Sequence, residues 1–196
     1  MNTAAGVADL KLACQPGKEG NLLVFSYKVE NLGTVETYVM DAVASVDGES
    51  GTSTPDPQSV VVLAGPGEDA TVGKFMAPLP TDRRVARPIV PLARRLAPGE
   101  ILQGQIEIPL PFAEGSPYFA DLPLRRYEVV ELKGVFFTIG YWAAGVDGLA
   151  ASPVDDAPDF FNVVTRNTLR SARRVTQRFP THSLQLLKRT DQFPRA

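Results

Sequence analysis

Apolar and polar residues alternate with a period of two along much of this chain, and turns bearing Gly or Pro interrupt the alternation roughly every ten to fifteen residues. That period belongs to a strand with one buried face, whereas a helix repeats its face every 3.6 residues. In Asn21–Glu30, residues Leu23, Phe25, Tyr27 and Val29 share a face, while Ser26, Lys28 and Glu30 point the other way. From Glu36 to Val46, Tyr38, Met40, Ala42, Ala44 and Val46 fall on one side. Asn31-Leu-Gly-Thr34 between the two runs is a turn in which Gly33 can take a positive φ, so the pair predicts a hairpin. Val7 to Cys14 reads as a shorter strand before it. Leu102, Gly104, Ile106, Ile108 and Leu110 alternate with Gln103, Gln105 and Glu107. In Tyr127–Trp142, Val135, Phe137, Ile139 and Tyr141 oppose Phe136, Thr138 and Gly140. Both faces of that run are apolar, which predicts a central strand covered on both sides.

The connections are as informative as the strands. Residues 47–59 are small and polar and read as a loop, as do 143–159, which are small and acidic. Short strands at Val60–Leu63 and Ala70–Met76 flank the turn Gly65-Pro66-Gly67-Glu68. Residues 77–98 carry five prolines and five arginines, a density that argues against a central strand or a long helix and predicts an extended, polyproline-like excursion. Residues 111–124 form a second Pro-rich connection, and Phe160–Thr165 a further strand. In the last thirty residues, strands at Arg174–Phe179 and Ser183–Leu187 are favoured over a helix capped by Asn167. Together these features predict an all-β chain: an antiparallel Ig-like β-sandwich over residues 1–165 and a basic C-terminal segment, 166–196, packed on the sandwich or on a partner.

Two stretches carry a family likeness. Val29-Glu-Asn-Leu-Gly-Thr34 and Leu63-Ala-Gly-Pro-Gly-Glu-Asp-Ala-Thr-Val72 together resemble bacterial Ig-like modules of the CARDB type, and are similar to the fold of BsuPI-type intracellular proteinase inhibitors. Leu96-Ala-Pro-Gly-Glu100 has the same look. The resemblance rests on turns, so it implies an Ig-like fold and carries over no catalytic residue.

Catalytic vocabulary is sparse. The chain has one Cys (Cys14) and one His (His182), too few for a disulfide or an ordinary zinc cluster. His182 next to Ser183 lacks a nucleophile elbow and reads as a turn or surface histidine; Cys14 reads as a small buried hydrophobe. Asp155, Asp156 and Asp159 are acidic but lack the spacing of a cation loop, and no phosphate-cradling or dinucleotide motif occurs. No cofactor is expected. No apolar run approaches the ~20 residues that span a bilayer. The first ten residues show neither a basic nor an apolar signal region, and the lone thiol suits a reducing compartment, so the expected location is cytoplasmic.

Charge distribution gives the functional lead. Residues 1–81 hold 4 Lys/Arg against 10 Asp/Glu, and residues 166–196 hold 8 Lys/Arg against one Asp. Fourteen of the twenty bases are arginine, the side chain best suited to carboxylates and aromatic faces. The expectation is a non-enzymatic interaction or assembly module that meets a protein partner or a neighbouring subunit through Arg83, Arg84, Arg87, Arg94, Arg95, Arg170, Arg173, Arg174 and Arg178. The bland alternative is that the basic end folds back on the acidic half. Nucleic acid is disfavoured by the acidic total and by few aromatics in the tail. Phe112, Tyr118 and Phe119 are either contact anchors or a cap on the core. An alternative function is a proteinase inhibitor presenting the 77–98 excursion to a protease cleft.

Overall fold

The alternating runs become strands in the computed structural model, which describes residues 7–46, 53–80, 85, 87–119 and 126–190. In chain order they are β1 (Leu10–Glu19), β2 (Leu22–Asn31), β3 (Thr37–Val46), β4 (Ser53–Asp56), β5 (Val61–Ala64), β6 (Asp69–Lys74) and β7 (Leu92–Leu96). There follow β8 (Ile101–Pro109), β9 (Phe112–Ala113), β10 (Tyr127–Ala143), β11 (Ala150–Val154), β12 (Ala157–Val164), the single-turn α1 (Thr168–Ser171) and β13 (Arg173–Arg189). A small sheet has the order β1-β2-β8. A large one runs β11-β12-β7-β3-β10-β13-β9, with β6 on β10, β5 on β6 and β4 on β3. The architecture is an all-β sandwich.

Inward residues of the two sheets make the core. Phe25 and Tyr27 of β2 meet Phe137 of β10 with ring centroids 5.2 and 5.4 Å apart. Val29, Ile106, Ile139 and Leu186 complete that layer without exposed surface, each worth about 1.5–3 kcal/mol of burial. β10 is covered on its other face as well. Trp142 packs with Tyr38, Met40, Met76, Ala93 and Val163. Further along, Val61, Phe75, Ala77 and Tyr118 form a third cluster with Val85, Ile89 and Phe119. The Pro-bounded segments are thus the cover of the large sheet's outer face, and Ile89 N donates to Tyr118 Oη at 3.1 Å. Phe112 and Tyr118 are buried, so they belong to the core rather than to a contact surface.

Several expectations are corrected. β2 pairs with β1 and β8, not with β3. Asn31 accounts for the difference: its side chain is fully buried, donating to Val35 O and Leu96 O and accepting from Gly33 N, so the chain crosses from the small sheet to the large one there. Gly33 has no positive φ. A Cβ there would lie 2.3 Å from Val7 O, so glycine is needed for close approach instead. Gly67 and Gly99, each after a proline, do take positive φ, at 73° and 80°, as a type II turn requires.

The 77–98 excursion contains β7, which lies between β12 and β3 inside the large sheet. Pro91 and Pro98 stand outside its five residues, so every amide in the strand can still donate. The expected loop 143–159 is largely the hairpin β11–β12. Pro153 is tolerated there because β11 is an edge strand. Part of the expected loop 47–59 pairs with β3 as β4. The sandwich is not wholly antiparallel either: β6 joins β10, and β9 joins β13, in parallel.

β13 pairs with β10 from Tyr127↔Arg189 to Tyr141↔Arg173, with one irregularity opposite Leu132/Gly134. Val175, Phe179 and Leu184 pack on the inter-sheet core, and Leu186 is part of it. A chain ending at Thr165 is therefore expected to lose its cooperative urea unfolding transition, because Leu132, Val135 and Phe137 would lose the strand beside them. A truncated chain that still melts cooperatively would contradict this.

Candidate functional site

Three strands of two sheets bring a polar cluster into the buried interior. Tyr27 keeps phase with Phe25 and Val29 on β2, and Lys74 keeps phase with Ala70 and Val72 on β6, so both side chains are delivered inward. Asp41 keeps phase with the buried Val39 on β3 and so faces the other two groups, beside a register shift with β7 between Met40 and Ala42. Tyr27 Oη donates to Asp41 Oδ1 at 2.7 Å. Lys74 Nζ donates to Tyr27 Oη at 2.8 Å and to Asp41 Oδ1 at 2.7 Å. Arg94 Nε lies 3.8 Å from Asp41 Oδ2 at the rim. Glycine at position 104 makes room for the phenol, since a Cβ there would stand 2.3 Å from Tyr27 Oη.

Side-chain exposure is 3% for Lys74 and 8% for Asp41. Burial pushes the Lys74 ammonium below its usual range, and the Asp41 carboxylate opposes that shift. Burial, then the Asp41 charge, holds the Tyr27 phenol far above its usual range. The result is an amine, a phenol and a carboxylate in mutual hydrogen bonding. Sequence reasoning missed this cluster, although Lys74 and Asp41 at inward phases were a legible signal.

The expected arginines that lie among the described residues make different local contacts. Arg83 and Arg84 lie outside the described residues. Arg94 stands near Asp41 and 3.8 Å from Asp159, over the Phe160 ring. Arg95 lies 3.5 Å from Glu36. Arg174 donates to Met76 O at 2.9 Å and covers Phe75. Arg178 reaches Asp69 at 3.0 Å. It passes Gly134 of β10, where a Cβ would stand 2.6 Å from the guanidinium. Arg87, Arg170 and Arg173 are exposed and make no ion pair with any described residue.

Sheet edges sort in a similar way. Gln177 carries its carboxamide to the free edge of β1, accepting from Cys14 N at 2.9 Å and donating to Cys14 O at 3.3 Å. Gln58 does the same on β8, donating to Gln105 O at 3.4 Å and accepting from Glu107 N at 3.3 Å. Both outer edges of the small sheet are thus stoppered at mid-strand by a peptide-like side chain. β13 differs. β9 covers only Leu186 and Leu187, and among the described residues no strand pairs with 173–185 on the side away from β10.

Asp155 and Asp156 occupy the exposed β11–β12 turn, and no three His, Cys, Asp or Glu side chains among the described residues converge as a metal site. No described helix is long and apolar enough to cross a membrane. His182 lies in β13, and its side chain is outside the described set. No protein-family model, curated protein or solved structure matches the chain.

Asp41→Ala is expected to cost about 3–5 kcal/mol in urea unfolding, because it strands a buried ammonium. Tyr27→Phe should cost less, about 1.5–3 kcal/mol, the worth of hydrogen bonding to a charged group. Equal costs would contradict the assignment of Asp41 as counter-ion. Cys14 is buried and burial pushes its thiol up to about 12. At pH 8 its thiolate fraction should be about 1,000-fold below that of an ordinary cysteine. A disulfide reagent should therefore label it only on unfolding, and rapid labelling of the native chain would contradict its burial.

Proposed function

We propose that this protein is a non-enzymatic interaction module that takes an extended, acidic segment of a protein partner along the outer edge of β13. The observation that carries the reading is the contrast between edges: those of the small sheet are stoppered by Gln58 and Gln177, while no described strand pairs with the outer side of residues 173–179. A strand with an open row of amide and carbonyl groups is a template for strand addition. Arg173 in that stretch and Arg170 just before it are exposed without a counter-ion among the described residues, which favours a carboxylate-bearing segment. Like charge disfavours a second copy of the same edge. Pro180 and the irregularity that follows it end the seat. The 77–98 excursion, which a protease cleft would need as a free loop, is held down at Ala77, Ile89 and Leu92, and this weighs against the inhibitor reading.

The test uses a fluorescent peptide of alternating valine and glutamate. Saturable binding is expected, weakening with added salt and falling about tenfold or more when Arg170 and Arg173 are both changed to Glu. Absence of binding, or equal binding of a valine–lysine peptide, would overturn the reading.

A further inference from the structure

The cluster of Tyr27, Asp41 and Lys74 has no part in the proposed edge, yet it is the most chemically committed place in the molecule. A lysine amine and an aspartate carboxylate are the two halves of an amide. Here they are held 2.7 Å apart in the interior, on strands that the fold keeps fixed. We propose that Lys74 and Asp41 condense to an intramolecular isopeptide bond that staples β6 to β3.

Each requirement of the reaction is met by a group in the cluster. Amide formation needs a neutral amine and a protonated carboxyl, whereas in water the pair is ammonium and carboxylate. Tyr27 Oη accepts from Nζ and donates to Oδ1. A proton can therefore pass from the ammonium to the phenol oxygen while the phenol proton passes to Oδ1. The outcome is a neutral amine beside a neutral carboxylic acid, and the phenol is restored. Burial favours this exchange, since an ion pair removed from water carries a desolvation cost that a neutral pair does not.

The lone pair of Nζ then attacks Cγ of Asp41 and forms the C–N bond. The carbonyl electrons move onto Oδ2, which faces Arg94 Nε at 3.8 Å, where the guanidinium offsets the growing negative charge. Collapse of that intermediate breaks the Cγ–Oδ1 bond. Oδ1 leaves as water with a second proton, taken from Nζ through Tyr27. One water is lost, nothing is oxidised or reduced, and no external reagent is consumed. Fixed groups in contact react with effective concentrations of about 10⁵–10⁸ M, which offsets the unfavourable condensation of the same groups free in water. The product suits its surroundings: the new N–H faces Tyr27 Oη and the new carbonyl faces Arg94.

The test is the intact mass of the purified full-length chain, read together with a peptide map. The expected mass is one water below that of the sequence, and the map should contain a branched peptide joining the segments of Asp41 and Lys74. Lys74→Arg and Asp41→Ala should each restore the full mass. In chain recovered unfolded and at full mass from inclusion bodies and then folded, Tyr27→Phe should slow the appearance of the lighter species about tenfold or more, as expected for loss of a general acid–base group. The wild-type measurement decides even if the variants fail to fold. A chain that keeps its full mass after prolonged incubation in the folded state would overturn the proposal, as would a lighter chain whose map lacks the branched peptide.

Discussion

The double burial of β10 is the constraint on which the rest of the structure depends. Its inner side chains, Val135, Phe137 and Ile139, meet the small sheet, while Thr138 and Trp142 are buried on the other face. A strand with two apolar faces must have a layer on each, and the small sheet covers one of them. Over Trp142 the outer layer is made instead by Met76, Val90, Leu149, Phe161 and Ala172, and the Pro-bounded segments around Ala77, Ile89 and Tyr118 continue it over Val61 and Phe75. Extended backbone with little freedom to lose is well suited to lie against a sheet in this way. β10 also has neighbours on both edges: β13 along one, and β6 and then β3 along the other.

The strands and their faces were legible because a period of two with punctuating turns has one physical meaning. Phe25, Tyr27, Val29, Ile106 and Phe137 are where alternation puts them. Connectivity was less legible. The turn after β2 looks local in sequence, but its meaning comes from the bonds of Asn31 to Leu96 O and Val35 O, and Leu96 is distant in the chain. β7 is hidden in the sequence because the prolines around it dominate residues 77–98. Five proline-free residues suffice for a short central strand.

The site was legible only in part. Charge asymmetry between the two ends is real, but part of the candidate arginine set is consumed within the fold. Arg178 and Asp69 meet across Gly134, Arg94 lies between Asp41 and Asp159, and Arg95 meets Glu36. Sequence cannot distinguish an arginine that reaches over a glycine to a neighbouring strand from one that points into solvent. Nor can it show that Gln58 and Gln177 serve as edge stoppers, since each acts on a distant strand. What survives of the original arginine set as available charge, among the described residues, is Arg87, Arg170 and Arg173.

Backbone amide hydrogen exchange across residues 173–179 of the free protein tests the central claim of an open β13 edge most directly. The account predicts alternation. Amides directed at β10 should exchange as slowly as those of β10 itself, and amides directed away should exchange at nearly the rate of exposed chain. Uniform protection through the segment would mean that the edge is already covered, and would contradict the account.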